Sequence, residues 1–393
     1  MRDAYIVQSV RTPGCKNKRG QFKETRPEDL LSFIMKSCVE KAGVDPLEID
    51  DVMCGCAFPE GEQGLNVARV AAQMAGFPDE VSGATVNRFC ASGIEAIALA
   101  SLRIQAGWSD VTMGAGLESM TYVPMGGHTP RPHPEFSAVK PEAYISMGVT
   151  AENVADRYGI TRQECDEFAV RSVNKAVEAQ EKGYFTEIVP MPAYKFVEQA
   201  DGTFKKETFM VEKDDGVRPG TTVEGIARLN SPFKAGGVAT AANSSQTTDG
   251  AAATLLASKE ACERMGLKPL AKIVTYAVAG CKSDEMGVGP KYAIPKALKK
   301  AGLKVEDIDV IELNEAFATQ SLHCIKELGL DESKINLNGG AIALGHPLGC
   351  TGAKLTATLI ANLQRTGGKY GIVSMCIGGG MGACAIFERV EDF

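Results

Sequence analysis

Two cysteines and one histidine lie in sequence contexts that could support nucleophilic and acid–base chemistry. Cys90 stands in Asn-Arg-Phe-Cys-Ala-Ser-Gly at 87–93, where a predicted strand meets a helix, and a helix N-terminus favours the thiolate over the thiol. His346, between a glycine and a proline, can accept the thiol proton if the fold brings it alongside. Cys376 precedes glycines at 378–380, whose bare amides could hold a developing oxyanion. Together they offer the nucleophile, the base and the second acid/base that carbon–carbon bond chemistry on a thioester needs.

Each of these residues also has a purely structural interpretation. Taken alone, Cys90 could be a packed apolar cysteine, because free cysteines are often buried. His346 could be a hydrogen-bonded structural histidine, although its glycine and proline neighbours indicate a tight loop that would present it. Cys376 could be a core residue at a strand end, with its glycines in a turn. The occurrence of all three motifs in one chain favours the chemical interpretation.

An internal duplication indicates how these motifs come together. Residues 41–58 align with residues 300–317 at a constant spacing of 259 positions, and seven of the 18 pairs are identical, where chance gives about one. The same spacing pairs Ser92-Gly93 with Thr351-Gly352. We therefore expect two copies of one α/β unit whose corresponding strand-to-helix loops face a shared site.

The coarse pattern of each copy is typical of a mixed sheet covered by helices. Each copy opens with an apolar strand, at 5–10 and at 273–278, and continues with a helix ending in Ala-Gly, a second strand, a Gly-rich helix start and a final strand. The segment 90–105 is apolar on both sides at helical spacing, so we expect that helix to lie between two sheets.

A different kind of sequence separates the copies. The segment 121–243 is irregular and rich in proline, with a helix predicted near 150–182, and it indicates an inserted lid. The predicted division is an N-terminal half of residues 1–120 plus 244–271, an inserted loop domain of residues 121–243, and a C-terminal half of residues 272–393. Loops on a rigid scaffold are where binding residues tend to lie.

Composition excludes several classes of function. The chain has 393 residues, of which 44% are hydrophobic, enough for a large buried core. A formal net charge of −7 without a Lys/Arg-rich tract argues against nucleic-acid binding. No apolar run is long enough to cross a membrane, and the first residues predict a strand rather than a targeting peptide. Twelve cysteines without a Cys-x-x-Cys pair indicate a soluble protein of a reducing compartment.

Neither a metal site nor a dinucleotide site is expected. Cys54 with Cys56, and His128 with His133, lack partners at ligand spacing. Residues 380–385 match a loosened Gly-x-Gly-x-x-Ala pattern, but only eight residues follow, too few for the rest of a dinucleotide-binding unit. We expect the protein to carry no prosthetic group.

Four motifs together resemble the signature blocks of the thiolase family. They are residues 87–93, Asn-Glu-Ala-Phe-Ala at 314–318, Gly-Gly-Ala-Ile-Ala-Leu-Gly-His-Pro at 339–347, and Cys-Ile-Gly-Gly-Gly-Met-Gly at 376–382, in the family's order. The resemblance implies a duplicated five-layer αβαβα core with an inserted loop domain. It also implies an acyltransferase that uses coenzyme A as a substrate, assembled as a homodimer or homotetramer.

The resemblance further implies a role for each residue of the site. Cys90 would be the nucleophile that accepts the acyl group, and Cys376 the acid/base that protonates the leaving carbanion and deprotonates the incoming CoA thiol. His346 and a water held by Asn314 would form the first oxyanion hole. The backbone amides of Cys90 and Gly378 would form the second. From the residue type alone, Asn314 could instead cap the helix that follows it.

CoA binding is expected to involve four further residues. The segments at 214–219 and 243–251 resemble those that hold CoA in the family. Within them Arg218 is the expected phosphate partner and Ser245 the expected pantetheine contact. Met147 and Phe317 would line the tunnel for the acyl and pantetheine chains.

The subclass depends on departures within that tunnel. Biosynthetic members of the family usually carry histidine where this chain has Ser146, and the loss of that ring leaves room for a longer chain. The sequence therefore favours degradative cleavage of 3-ketoacyl-CoA in fatty-acid β-oxidation. Two alternatives stay open, an acetoacetyl-CoA thiolase running condensation and a non-catalytic acyl-CoA or lipid carrier. A ketoacyl synthase is disfavoured because it would carry histidine in place of Cys376.

Partners and compartment follow from the same resemblance. The expected substrates are 3-ketoacyl-CoA and free CoA, and a complex with hydratase and dehydrogenase subunits of β-oxidation is compatible by analogy. A bacterial cytoplasm is the compartment that fits the sequence best, and an organellar matrix is the alternative.

Overall fold

The computed structural model describes residues 2–391 and 393, which form a mixed α/β fold. The strands are β1 (Tyr5–Arg11), β2 (Cys15–Lys16), β3 (Asp51–Gly55), β4 (Ser82–Val86), β5 (Val111–Ser119), β6 (Met191–Glu198), β7 (Phe204–Val211), β8 (Thr248–Ala257), β9 (Ala271–Gly280), β10 (Val310–Leu313), β11 (Tyr370–Ile377) and β12 (Met381–Arg389). The helices are α1 (Pro27–Ala42), α2 (Val67–Met74), α3 (Ser92–Gln105), α4 (Pro134–Val139), α5 (Met147–Tyr158), α6 (Arg162–Glu181), α7 (Val223–Ala227), α8 (Lys259–Met265), α9 (Gly289–Ala301), α10 (Ala318–Leu328), α11 (Ala341–Leu344) and α12 (Thr351–Thr366).

The strands build two half-sheets that meet at a short seam. The first half-sheet has the order β4-β3-β5-β8-β1 and the second the order β9-β12-β11-β10. Each half-sheet has parallel strands at one end. In the first, β3 pairs in parallel with β4 and β5, and in the second, β10 pairs in parallel with β11. The other pairs within the half-sheets are antiparallel. Among the described residues, only Tyr5 and Ile6 pair across the seam, with Lys272 and Ala271.

The helices form three layers around these half-sheets. Helices α1 and α2 cover the outer face of the first half-sheet, and α9 and α10 cover the outer face of the second. Helices α3 and α12 lie between the half-sheets, where Ile94, Ile97 and Leu359 are fully buried. The predicted five-layer αβαβα core is confirmed, and α3 occupies the central layer, as its two apolar sides indicate.

The duplication persists in the element boundaries. At the spacing of 259 residues, the 3₁₀ turn Phe89–Ala91 corresponds to the turn Leu348–Cys350, and each turn leads directly into a central helix. The helix predicted from residue 90 thus begins two residues later. The two central helices cross where a Cβ on Gly352 would lie 2.3 Å from the backbone nitrogen of Ile94, so only glycine permits this approach.

The inserted segment differs from its prediction in one respect. The single helix expected near 150–182 is wrong, because the chain forms α5 and α6 with a break between them. Gly159 ends α5 in a left-handed conformation, with φ of 65°, and Thr161 starts α6 through a capping box with Glu164. The segment also contains the β6–β7 hairpin. In the described part of the chain, no helix is long and apolar enough to cross a membrane.

Candidate active site

One cavity of about 630 Å³ collects most of the predicted site residues. The three reactive side chains, those of Cys90, His346 and Cys376, all line it. Four further predicted residues line the same cavity, and they are Gly378, Ser245, Met147 and Phe317. Its walls come from the strand-to-helix loops of both halves and from the inserted segment, so the cavity lies where the duplicated units face each other.

Burial and the local amides act in opposite directions on the Cys90 thiol. Cys90 lies in the 3₁₀ turn ahead of α3 and is 8% exposed. Burial raises its pKa to about 11, although the amides of Gly378 and of Cys90 itself lower it by hydrogen bonding. The amides act in the direction that the sequence predicts, but desolvation outweighs them. The resting group is the thiol.

His346 is held at its ring and at its backbone. Its Nδ1 lies 2.5 Å from the hydroxyl of Thr351, and its backbone N–H donates to the carbonyl of Gln246 at 2.9 Å. The single hydroxyl proton of Thr351 has the carbonyl of Pro347 at 3.1 Å as its acceptor, so we assign the Nδ1–H tautomer to His346. Nε2 is then unprotonated and lies 3.4 Å from Nδ2 of Asn314.

The imidazole is neutral in the resting site. Burial lowers the pKa of His346 to about 3, and the charge of Lys354 lowers it further. A neutral imidazole with an unprotonated Nε2 can accept a proton and can afterwards donate it as a hydrogen bond to an oxyanion.

Cys376 lies near the end of β11 and is fully buried. Its thiol donates to Oε1 of Gln320 at 3.5 Å, and burial, reinforced by neighbouring thiols, raises its pKa well above the ordinary value. Gln320 was not predicted from the sequence. Its one sequence signal is its place six residues after Asn314, and only the three-dimensional contact shows that its amide holds the thiol proton.

Asn314 does not cap a helix. Helix α10 begins at Ala318 with Phe317 in the N-cap position, so the capping alternative is wrong. The backbone N–H of Asn314 instead continues the strand pairing by donating to the carbonyl of Ser374 at 2.9 Å. Among the described residues its buried Oδ1 has no hydrogen-bond partner. Asn314 is not among the residues that line the cavity, and it reaches the site through the contact of its Nδ2 with Nε2 of His346.

The predicted CoA contacts divide into two groups. Ser245, Met147 and Phe317 lie in the cavity wall, and the backbone N–H of Ser245 donates to the carbonyl of Ala316 at 2.9 Å. Arg218 is exposed and lies outside the cavity lining. The neighbouring Asp214 is buried in an ion pair with Arg11 and cannot face a ligand.

Two buried charged residues that the sequence did not reveal hold the loops of the site. The Glu118 carboxylate accepts the backbone N–H groups of Ala57 at 2.8 Å and Gly349 at 2.7 Å, which joins the loops of the two halves. The Lys354 ammonium donates to the two carbonyls that precede His346. Neither residue belongs to a recognisable motif. In the described residues, no group of three or more His, Cys, Asp or Glu side chains could hold a metal ion.

Comparison with known proteins gives family matches over both halves of the chain. The family model described as "Thiolase, N-terminal domain" matches residues 4–260, and that described as "Thiolase, C-terminal domain" matches residues 267–389. The 3-ketoacyl-CoA thiolase of Bacillus subtilis is 48% identical over 389 residues, which cover 99% of this chain and 100% of that protein.

Two solved structures share the fold over the whole chain. The acetyl-CoA acetyltransferase of Bacillus anthracis superposes with a TM-score of 0.90 at 39% identity, covering 99% of each chain. The dimeric peroxisomal thiolase of Saccharomyces cerevisiae superposes with a TM-score of 0.88 at 38% identity, covering 99% of this chain and 98% of that one.

Proposed function

The chain belongs to the thiolase family, and we propose that it is an acetyl-CoA C-acyltransferase that cleaves 3-ketoacyl-CoA with free CoA. The products are acetyl-CoA and an acyl-CoA shortened by two carbons, as in fatty-acid β-oxidation. The observation that carries the proposal is the convergence of Cys90, His346 and Cys376 on one cavity with largely apolar walls. Such a site offers a nucleophile, a neutral base and a second acid/base to one substrate.

The first half-reaction transfers the acyl group to Cys90. The sulfur attacks the 3-keto carbon as Nε2 of His346 takes the thiol proton, and the amides of Cys90 and Gly378 hold the resulting oxyanion. The intermediate collapses with cleavage of the C2–C3 bond, and the electron pair leaves as the enolate of acetyl-CoA. The protonated His346, together with a water held by Asn314, stabilises the enolate oxygen, and the thiol of Cys376 protonates C2.

The second half-reaction regenerates the enzyme. The Cys376 thiolate removes the proton of the incoming CoA thiol, and the CoA sulfur attacks the acyl-Cys90 thioester. The tetrahedral intermediate collapses to the shortened acyl-CoA, and the Cys90 sulfur takes its proton back from His346. The neutral resting states of both cysteines and of His346 support this order, since each proton moves only when a substrate carbon or sulfur is in place.

Four residues are proposed to bind the CoA portion of the substrate. The positions of Ser245, Met147 and Phe317 in the cavity wall support contacts to the pantetheine and acyl chains. Arg218 lies outside the cavity lining, and its exposed guanidinium suits a phosphate of CoA. The enzyme carries no prosthetic group in this proposal, and CoA enters and leaves as a substrate.

A medium or broad range of acyl chain lengths is proposed. Ser146 lies in the cavity wall. Biosynthetic members of the family usually carry a histidine at this position, as stated in the sequence analysis. The adjoining wall is apolar and includes Met120, Met125, Tyr144 and Ile145. This lining supports burial of a hydrocarbon chain. Confinement to acetoacetyl-CoA is the competing function, and the similar Bacillus anthracis structure is named an acetyl-CoA acetyltransferase.

The assembly and the compartment are also proposals. We propose a homo-oligomer, with a dimer supported by the dimeric yeast relative. A bacterial cytoplasm is the proposed location, supported by the Bacillus subtilis relative. A complex with hydratase and dehydrogenase subunits would deliver the 3-ketoacyl-CoA directly, and it rests on analogy.

Thiolysis of three substrates tests the function. Acetoacetyl-CoA, 3-ketooctanoyl-CoA and 3-ketohexadecanoyl-CoA are each supplied with CoA to the wild type, to Cys90→Ala and to the control Cys262→Ala, whose cysteine lies on the distant helix α8. We expect higher kcat/KM on the two longer substrates, an acyl adduct on Cys90 by mass spectrometry, and loss of both in Cys90→Ala alone. Activity on acetoacetyl-CoA only would assign the acetyltransferase function, and neither turnover nor adduct would assign a carrier.

A further inference from the structure

Lys354 is a buried cation directly behind the loop that carries His346. It is 4% exposed, and its Nζ donates to the carbonyl of Leu344 at 2.7 Å and to the carbonyl of Gly345 at 2.9 Å. These are the two carbonyls that precede His346 in the chain. A charged donor makes stronger hydrogen bonds than a neutral one, and stronger still where water is excluded.

Helix α12 thus holds His346 at two points. Thr351, at the start of the helix, forms a hydrogen bond with the imidazole ring of His346. Lys354, one turn further along, donates hydrogen bonds to the peptide carbonyls that precede His346. Gly345 has a φ of 81°, so the loop bends through a left-handed residue between these two attachments. The orientation of the ring therefore depends on where Lys354 holds the bend.

The charge of Lys354 belongs to a balanced buried group. Arg11 pairs with Glu187 at 3.0 Å and with Asp214 at 2.8 Å, and both carboxylates come from the inserted segment. Lys354 is attracted by both carboxylates and repelled by Arg11. The titratable and charged groups near Lys354 include Asp214, Glu187, Arg11, the thiol of Cys350 and the imidazole of His346. Two cations and two anions offset each other, so the ammonium can stay charged although it is buried.

We propose that Lys354 is a positioning residue for His346, which fixes the two carbonyls before the histidine and keeps a positive charge behind its loop. The effect is on Nε2, the atom that takes the proton of Cys90, and the positive charge also disfavours premature protonation of the ring. This inference rests on the proposed roles of Cys90 and His346. It adds a residue that the sequence analysis did not single out, and the two carboxylates that attract its charge come from the inserted segment.

Single-turnover acylation tests the proposal without CoA, whose thiol would add its own titration. Wild type, Lys354→Met and Lys354→Arg are mixed with 3-ketooctanoyl-CoA from pH 6.5 to 9.5, and acetyl-CoA release is followed. We expect Lys354→Met to acylate about 10–100-fold more slowly, with little change in the substrate concentration that gives half of the maximal rate, because small misplacements of a base are costly. Lys354→Arg is expected to restore most of the rate.

The pH profile separates positioning from a merely structural role. Burial lowers the pKa of Lys354 to about 8, so the wild-type rate is expected to fall as the ammonium deprotonates through that range. A guanidinium stays charged over the whole range, so Lys354→Arg is expected to show no such fall. A structural role would change the melting temperature but leave the profiles alike.

The control is Lys334→Met, because Lys334 also donates to a carbonyl, that of Ile308 at 2.7 Å, but lies outside the cavity lining. A rate of Lys354→Met within twofold of wild type overturns the proposal. If that variant does not fold, an equal fall above pH 8 in Lys354→Arg and wild type overturns it instead.

Failure of the proposed function has a different signature. It would show as no acylation of the wild type by 3-ketooctanoyl-CoA. Alkylation of Cys90 by iodoacetamide needs no substrate, and the proposal expects it to slow about tenfold in Lys354→Met whichever acyl donor the enzyme uses.

Discussion

At Cys90 the hydrogen-bond donors and the burial oppose each other, and the burial prevails. The thiol and the imidazole of His346 are both uncharged at rest, since their pKa values are about 11 and about 3. A preformed thiolate–imidazolium pair would be open to stray electrophiles, whereas a neutral pair reacts when a keto carbon offers a place for the electrons. The sequence predicts Cys90, His346 and Cys376 as the reacting residues, because the motifs carry them. It does not predict their charge, which depends on how completely the fold removes water.

The first prediction concerns the tautomer of His346. Thr351→Val keeps the volume of the side chain but removes the oxygen that accepts Nδ1–H. The ring is then free to carry its proton on Nε2, where it cannot take a proton from Cys90, so we expect kcat to fall about 10–100-fold. Steady-state thiolysis with 3-ketooctanoyl-CoA measures the change.

The matched control is Thr356→Val on the same helix. Thr356 is fully buried, and its hydroxyl donates to the carbonyl of Gly352 at 2.8 Å, away from the histidine. An equal loss of kcat in both variants would show that the hydroxyl of Thr351 acts through the helix and not through the ring.

At the scale of elements, the site lies where parallel strands end and central helices begin. Asn314 follows β10, Cys376 lies one residue before the end of β11, and Cys90 precedes α3. The alternating pattern of the sequence predicts these junctions, because strand and helix periods differ. The break between α5 and α6 could not be predicted from periodicity, since it depends on one left-handed glycine and a capping box within a continuously helical pattern.

The second prediction concerns a carboxyl buried in strand β10. Burial raises the pKa of Glu312 to about 8, although Asn362 donates to it at 3.1 Å. An acid whose folded pKa is raised contributes stability that is present below its ordinary pKa and is lost as pH rises through about 8. Glu312→Gln has no such titration. We therefore expect equal melting temperatures at pH 5 and a higher melting temperature for Glu312→Gln at pH 8.

The size of the effect follows from general stability scales. One kcal/mol moves the melting temperature of a mid-sized domain by about 2–4 °C, so differential scanning calorimetry resolves it. Glu306→Gln, on the exposed turn before the same strand, should leave the pH dependence unchanged. A Glu312→Gln profile parallel to that of wild type from pH 5 to 8 would contradict the account.

At the scale of the whole molecule, two copies of one unit have diverged into one site. At the spacing of 259 residues, strand β5 corresponds to β11 and helix α3 corresponds to α12. Cys376 in β11 nevertheless corresponds to an apolar residue, Leu117, in β5. The alignment of residues 41–58 with residues 300–317 predicts this architecture. The short distance between helices α3 and α12 where they cross could not be predicted, because it depends on the three-dimensional approach of their backbones. The division at residues 120, 243 and 271 stays a prediction.

The third prediction concerns that crossing. Gly352→Ala places a Cβ 2.3 Å from the backbone nitrogen of Ile94, and backbone cannot move aside as a flexible side chain can. Overpacking typically costs about 1–3 kcal/mol of folding stability, and we expect a loss at the upper end of that range. We also expect a lower kcat, because separating α3 from α12 moves Cys90, which precedes α3, away from Thr351 on α12. Thermal denaturation and thiolysis measure the two effects.

A second glycine supplies the comparison for this substitution. Gly280→Ala, at the end of β9, adds a Cβ with no atom within 4 Å and is expected to be neutral in both assays. Equal melting temperatures for the two variants would mean that the helices move apart without cost.

The place of β8 in the first half-sheet has a consequence for biosynthesis. β8 lies between β1 and β5 and pairs with both, but the ribosome makes it only after the entire inserted segment. At cellular rates of about 5–20 residues per second, the two flanking strands wait on the order of ten seconds with open edges. Exposed edges of this kind recruit other strands, so the nascent chain passes through an aggregation-prone interval that chaperones are suited to cover. Synonymous codons that slow translation across residues 121–247 would lengthen that interval without altering the finished enzyme.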